Sequence, residues 1–179
     1  MENFRKHGEE AGFNDKIIRP YCASIVLMVL MMSLMTPCVG ICSTSIAGSV
    51  CRGCKRYAHE VIRWNSYTAE EREIVWRRLE QFRCTIISNW LEVADDALLK
   101  AQLEMRRIKF NPVLDSRAWV YDLLRAGASQ IEDPAPYGLR LLPRGQNMTL
   151  AEVNEAIERE YLALSEAHYA RYFADVRMT

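Results

Sequence analysis

"YCASIVLMVLMMSLMTPCVGICS", residues 21–43, decides how the rest of the chain is read. It lies in an uncharged gap that opens after Arg19 and closes only at Arg52. As a helix the run would rise about 34 Å, against a bilayer hydrocarbon core of about 30 Å. Its Ile, Val and Leu residues favour insertion by roughly 2 to 5 kcal/mol, and no buried charge opposes them. The expectation is a single transmembrane helix within residues 21–50, kept in the mature chain rather than removed as a targeting segment. Basic residues flank the run on both sides, with Arg5, Lys6, Lys16 and Arg19 before it and Arg52, Lys55, Arg56 and Arg63 after it, so charge gives no orientation. Pro37 removes one backbone donor from this helix, a defect that neighbouring helices or hydroxyls commonly repair in membranes. Gly40, Thr44 and Gly48 recur one helical turn apart, a small-residue stripe suited to close helix–helix approach in lipid.

Immediately beyond the run stands "CRGCKRYAHEVIRWN", residues 51–65. With Cys38 and Cys42 it completes C-x3-C-x8-C-x2-C, a spacing that superficially suits a tetrahedral thiolate site. The membrane reading counts against that site, because thiols inside a span behave as small hydrophobes. The expectation is therefore unreactive thiols with no bound metal or cofactor, and Cys51 and Cys54 as a candidate disulfide or redox pair. Tyr57 and Trp64 fit an interfacial aromatic belt, with Arg52, Lys55 and Arg56 at the headgroups.

The rest of the chain reads as helix without any strand pattern. Thr68 and Glu71 form a capping box. From there Val75, Leu79, Phe82, Ile86, Trp90, Val93, Ala97 and Ala101 recur at threes and fours, predicting one amphipathic helix that ends before Pro112. Such a helix would be about 60 Å long, more than this chain can cover by itself. Leu79, Phe82, Ile86 and Trp90, together with Gly40, Thr44 and Gly48, are accordingly the candidate partner interface. Asp115 caps a short helix closed near Gly127. Residues 127–148 carry prolines and no sustained period, and read as an extended arm lying on a partner. Thr149 and Glu152 open a C-terminal helix over 149–179, with Leu150, Val153, Ile157, Tyr161, Leu164, His168 and Tyr172 along one face. The resulting fold class is all-α: an N-terminal arm over 1–20, the membrane helix over 21–50, a long amphipathic helical region over 51–126, the extended arm and the last helix.

Function classes are narrowed mainly by what is missing. Lys+Arg and Asp+Glu both total 23, so no basic excess favours nucleic acid. No Gly-rich phosphate loop, nucleophile elbow or Ser/His/Asp spacing is present, so no catalytic residue and no small-molecule substrate are expected.

The stretches "YAHEVIRWN" at 57–65, "IISNWLEVADDALL" at 86–99 and "IKFNPVLDSRAWV" at 108–120 follow a single apolar run approached through "GEEAGFNDKIIRP". In this combination the chain resembles accessory subunit thirteen of the alpha subcomplex of mitochondrial complex I, NADH:ubiquinone oxidoreductase. The resemblance implies a non-catalytic subunit of the respiratory chain, bracing the membrane arm and supporting assembly. It also implies a single-pass inner-membrane protein with its N-terminus in the matrix and its C-terminal part in the intermembrane space. Its partners would be the lipid bilayer and other subunits of a large membrane complex. Two alternatives stay open: an accessory subunit of another inner-membrane assembly, such as ATP synthase or cytochrome oxidase, and a membrane-anchored thiol or metal protein using Cys51 and Cys54.

Overall fold

The computed structural model describes residues 36–40 and 48–173, all within one compact unit that begins at Thr36. In chain order the elements are α1 (Ala58–Arg63), α2 (Ala69–Ile87), β1 (Leu91–Val93), α3 (Asp96–Met105), α4 (Ser116–Gly127), β2 (Leu139–Leu141) and α5 (Leu150–Phe173). Short 3-10 turns occupy Trp64–Ser66, Ala128–Gln130, Ala135–Tyr137 and Pro143–Gly145.

Three of the expected helix starts are built as their side chains dictate. Thr68 Oγ1 accepts the Glu71 N–H at 3.3 Å, and the Glu71 carboxylate accepts the Thr68 N–H at 2.8 Å, which opens α2. Asp115 accepts the Arg117 N–H at 2.9 Å and opens α4. Thr149 and Glu152 exchange the same reciprocal pair at the start of α5. Helix α4 is the most enclosed of the three, burying Ala118, Trp119, Val120, Tyr121, Leu123 and Leu124 between α2, α3 and α5.

The single long amphipathic helix does not form. Helix α2 stops at Ile87, and turns at Asn89 and Trp90 lead into β1. Asp95 then accepts the Leu98 N–H at 2.9 Å and starts α3 afresh. Short polar side chains at 88–89 and 95 compete with helical backbone bonds and favour such breaks. The restart changes the phase of the apolar stripe. Leu99 and Leu103 are buried, whereas Ala97 and Ala101, which continue the original period, are exposed. Helix α3 ends with Arg107 in the left-handed region at φ 55° and the Ile108 N–H bonded to the Leu103 carbonyl at 2.9 Å. That is the terminating geometry that satisfies orphan helical carbonyls.

The all-α expectation is also corrected by the sheet. β1 and β2 pair antiparallel, with Leu91 opposite Leu141, Glu92 opposite Arg140 and Val93 opposite Leu139. The stretch expected as a partner-bound arm thus lies on this chain's own core, burying Ile131, Tyr137 and Leu139. Gly138, at φ 71°, makes the approach possible. A Cβ there would stand 2.4 Å from the Asp95 carbonyl oxygen, in a conformation that side chains disfavour.

Among the described residues no helix is long and apolar enough to cross a membrane. The expected span lies outside the described residues except for 36–40 and 48–50. Those positions are not helical, and Gly40 stands at φ 80°. The single-pass membrane fold, the transmembrane keywords and the inner-membrane localisation are corrected accordingly.

Candidate functional site

The chain around Cys51 and Cys54 folds as a closed turn. The Cys51 carbonyl accepts the Lys55 N–H at 2.8 Å, and the Cys51 N–H donates to the Arg56 carbonyl at 2.8 Å. Lys55 takes a left-handed backbone, φ 58°, to complete the reversal. For a residue with a side chain that conformation costs of order 1 kcal/mol or more, and surrounding structure must hold it. An antiparallel bridge between Val50 and Tyr57 closes the base of the turn. Both cysteines stand as thiols and both are buried.

What holds the turn is a set of charged and aromatic side chains. Lys55 is 1 % exposed, and its ammonium pairs with the Glu158 carboxylate of α5. The other oxygen of Glu158 accepts the Tyr121 hydroxyl at 2.7 Å, tying the turn to α4 as well. Arg56, 3 % exposed, donates Nε–H to Cys54 Sγ at 3.3 Å, and its guanidinium lies 4.8 Å from the centre of the Trp64 ring. Burial pushes the Cys54 thiol above its ordinary range, and the Arg56 hydrogen bond opposes that shift. Glu60 accepts the Tyr57 N–H at 2.8 Å and pairs with Arg78 of α2 at 2.6 Å. Burial still raises the Glu60 carboxyl, outweighing the pull of Arg78. Arg78 also lies 3.7 Å from the centre of the Tyr57 ring. The Tyr57 hydroxyl meets His168 Nδ1 at 2.6 Å, and burial pushes that phenol up to about 12.

The sequence-predicted site residues distribute unevenly around this centre. Cys51 and Cys54 sit in it. Cys38 is exposed, with its N–H on Thr36 Oγ1 at 3.3 Å, and Cys42 and Thr44 lie outside the described residues. Gly40 and Gly48 do not form a helical stripe. Leu79, Phe82, Ile86 and Trp90, expected to face another protein, are buried within this chain. The Leu79 carbonyl receives the Tyr161 hydroxyl at 3.1 Å, and Phe82 meets the His168 ring edge-on. Trp90 donates Nε1–H to Glu160 at 3.1 Å beneath the Arg144 guanidinium. Helices α4 and α5 thus cover the stripe within this chain. Lys55, Arg56, Tyr57 and Trp64 are likewise interior, not at a membrane surface. Sequence reasoning missed Glu60, Arg78 and Glu158 as members of the centre. Only the three-residue offset between Tyr57 and Glu60, a capping-box spacing, could have flagged one of them.

Among the described residues no group of three or more His, Cys, Asp or Glu side chains is placed to hold a metal ion. The two thiols of the turn supply at most two ligands, and Cys38 does not join them in such a group. Gly40, in the left-handed region between Cys38 and Cys42, turns the chain there rather than extending a helix.

Residues 36–83 match the model of a family described as Protein of unknown function (DUF1289). The matched segment starts where the compact unit starts, spans all four cysteines and ends inside α2. It therefore contains the turn, Lys55, Arg56, Tyr57, Glu60 and Arg78, but not Glu158 and His168 of α5. No curated protein and no solved structure matches the chain.

Proposed function

We propose that this chain is a thiol protein in which the buried pair Cys51 and Cys54 supplies two thiolate ligands to a soft metal ion of the zinc type. The observation that carries the reading is the Cys51–Arg56 turn. Two backbone hydrogen bonds and a left-handed residue fix two buried thiols at a two-residue separation. Thiolates suit such metals. A redox dithiol fits less well, because reactive cysteines need exposure and a lowered pKa, and Cys54 has neither. The role that follows is to fix the turn at 50–57 against α2 and α5, with metal binding adding to folding free energy. The respiratory-subunit reading is not carried forward, since it rested on a membrane span and an uncovered stripe.

The test is metal analysis of protein purified under reducing conditions, with Cys51→Ser and Cys54→Ser alongside. We expect about one metal per chain, lost in both variants, with a metal-dependent rise in melting temperature. Wild-type protein that binds no zinc, cobalt or iron, or variants that keep full occupancy, would overturn the reading.

A further inference from the structure

Lys55, the residue after Cys54, is unfavourable in two ways that its own turn does not offset. Its backbone stands in the left-handed region at φ 58°, and the residue is 1 % exposed, so its ammonium is enclosed as well. A buried charge persists only where it is paired and hydrogen-bonded. Those partners come mainly from distant parts of the chain. The ammonium pairs with the Glu158 carboxylate of α5 and lies 5.2 Å from the centre of the Tyr161 ring. It also reaches back to the Gly53 carbonyl at 3.4 Å. Glu158 is fixed in turn by the Tyr121 hydroxyl, which donates to its other oxygen at 2.7 Å. The link from Glu158 through Lys55 to Gly53 thus ends on the two residues that flank Cys54. Glu158 lies 103 positions beyond Lys55, and like Tyr121 and Tyr161 it is outside the matched segment 36–83.

We infer that Glu158 is a positioning residue for the thiol pair: acting through Lys55, it keeps the turn closed over Cys51 and Cys54. The inference goes beyond the metal–thiolate reading, because it concerns the path to the sulfurs whether or not a metal sits on them. Without the carboxylate, the Lys55 ammonium has to reach water. Moving it there breaks its bond to Gly53 and frees the left-handed residue beside Cys54. The buried sulfurs then open to solvent by a local fluctuation, not by global unfolding. The half of the chain beyond the matched segment therefore sets how readily the two thiols are reached.

The test is alkylation of the reduced full chain by iodoacetamide, resolved site by site by mass spectrometry, with and without a chelator that removes bound metal. Cys84, buried on α2, is the internal control for global unfolding. In chelator-treated wild type, Cys51 and Cys54 label slowly. Glu158→Gln speeds both about tenfold, the scale of one charged hydrogen bond at a site partly open to water, and leaves Cys84 unchanged. Glu155→Gln, which removes an exposed pair with Arg159 on the same helix, changes none of the three rates. Lys55→Gly suits the left-handed backbone and carries no ammonium, so it reads the clamp even if the Gln variant fails to accumulate. It speeds labelling of the pair, and in that background Glu158→Gln adds little, because Glu158 acts through Lys55. Unchanged rates at Cys51 and Cys54 in Glu158→Gln, or equal acceleration at Cys84, would overturn the inference. So would a further tenfold gain from Glu158→Gln on top of Lys55→Gly. Slow wild-type labelling that is the same with and without the chelator supports closure by the protein itself while counting against a bound metal.

Discussion

The two ends of this molecule are held by different physics. Around the cysteine turn the contacts between elements are ion pairs, hydroxyls and cation–aromatic stacks, several of them buried: Lys55 with Glu158, Glu60 with Arg78, and Tyr57 with His168. At the opposite end α3, α4 and the β1–β2 clip close on Leu99, Leu103, Leu123, Ile131, Tyr137 and Leu139, with charges such as Arg140 and Glu92 on the outside. An apolar contact is non-directional and tolerates small shifts, whereas a buried charge needs its partner in place. The polar end is therefore specific but vulnerable, and the apolar end is robust to conditions. That contrast suits a turn whose geometry must be exact enough to present two thiols.

The sharpest way to break the comparison is to orphan a charge at the polar end. Glu60→Ala leaves Arg78 buried without its carboxylate and is expected to cost about 3 to 5 kcal/mol in chemical denaturation. Replacing both partners, Glu60→Leu with Arg78→Leu, should recover most of that loss. If the double variant is as unstable as the single one, packing rather than charge holds this end.

A cavity at the apolar end should cost slightly less and behave differently. Leu103→Ala is expected to lose about 2 to 5 kcal/mol through lost burial and an unfilled space. The loss should be insensitive to salt and to pH between 5.5 and 7.5, measured by denaturant midpoint. A marked salt dependence would show that the two ends are not energetically distinct.

The smallest expected effect is a pH dependence confined to the polar end. Burial pushes His168 and His59 below the usual histidine range, and Arg78 adds to the shift in both, joined by Arg171 at His168 and Arg63 at His59. The folded state then binds fewer protons than the unfolded state, so stability rises with pH across this window. Their contribution is complete above about pH 6.5 and is lost as pH falls through the lower folded values. Wild-type protein should lose stability between pH 7.5 and 5.5, and His168→Gln should lose less over the same interval. Equal losses in the two proteins would remove His168 from the account.

Local signals in the sequence were read well where their chemistry is local. Thr68, Asp115 and Thr149 start helices because each side-chain oxygen meets an N–H two or three residues on, a contact that needs no distant partner. The apolar positions of α2, and of α5 as far as Tyr161, were legible for the same reason, whereas Tyr172, expected on that face, is exposed and Tyr169 is buried instead. Local reasoning failed where two distant segments decide the outcome. Ser88, Asn89 and Asp95 permit a break, but the pairing of β1 with β2, forty-odd residues away, makes the break a strand. The uncharged run at 21–43 imposed a membrane reading on its neighbours, and that reading turned buried Lys55, Arg56 and Trp64 into surface residues.

By itself the sequence determined which residues start helices, which faces are apolar and that four cysteines lie at a ligand-like spacing. These follow from side-chain shape, hydrogen-bonding capacity and order along the chain. Only the tertiary structure decided what covers each face. The stripe through Leu79, Phe82, Ile86 and Trp90 has the same period whether it meets another protein or, as here, α4 and α5. Likewise a lysine and an arginine beside a cysteine pair become interior only because Glu158, Trp64 and Cys54 receive them. Periodicity specifies that a face must be buried; the partner is set by contacts distant in sequence, which carry no local mark.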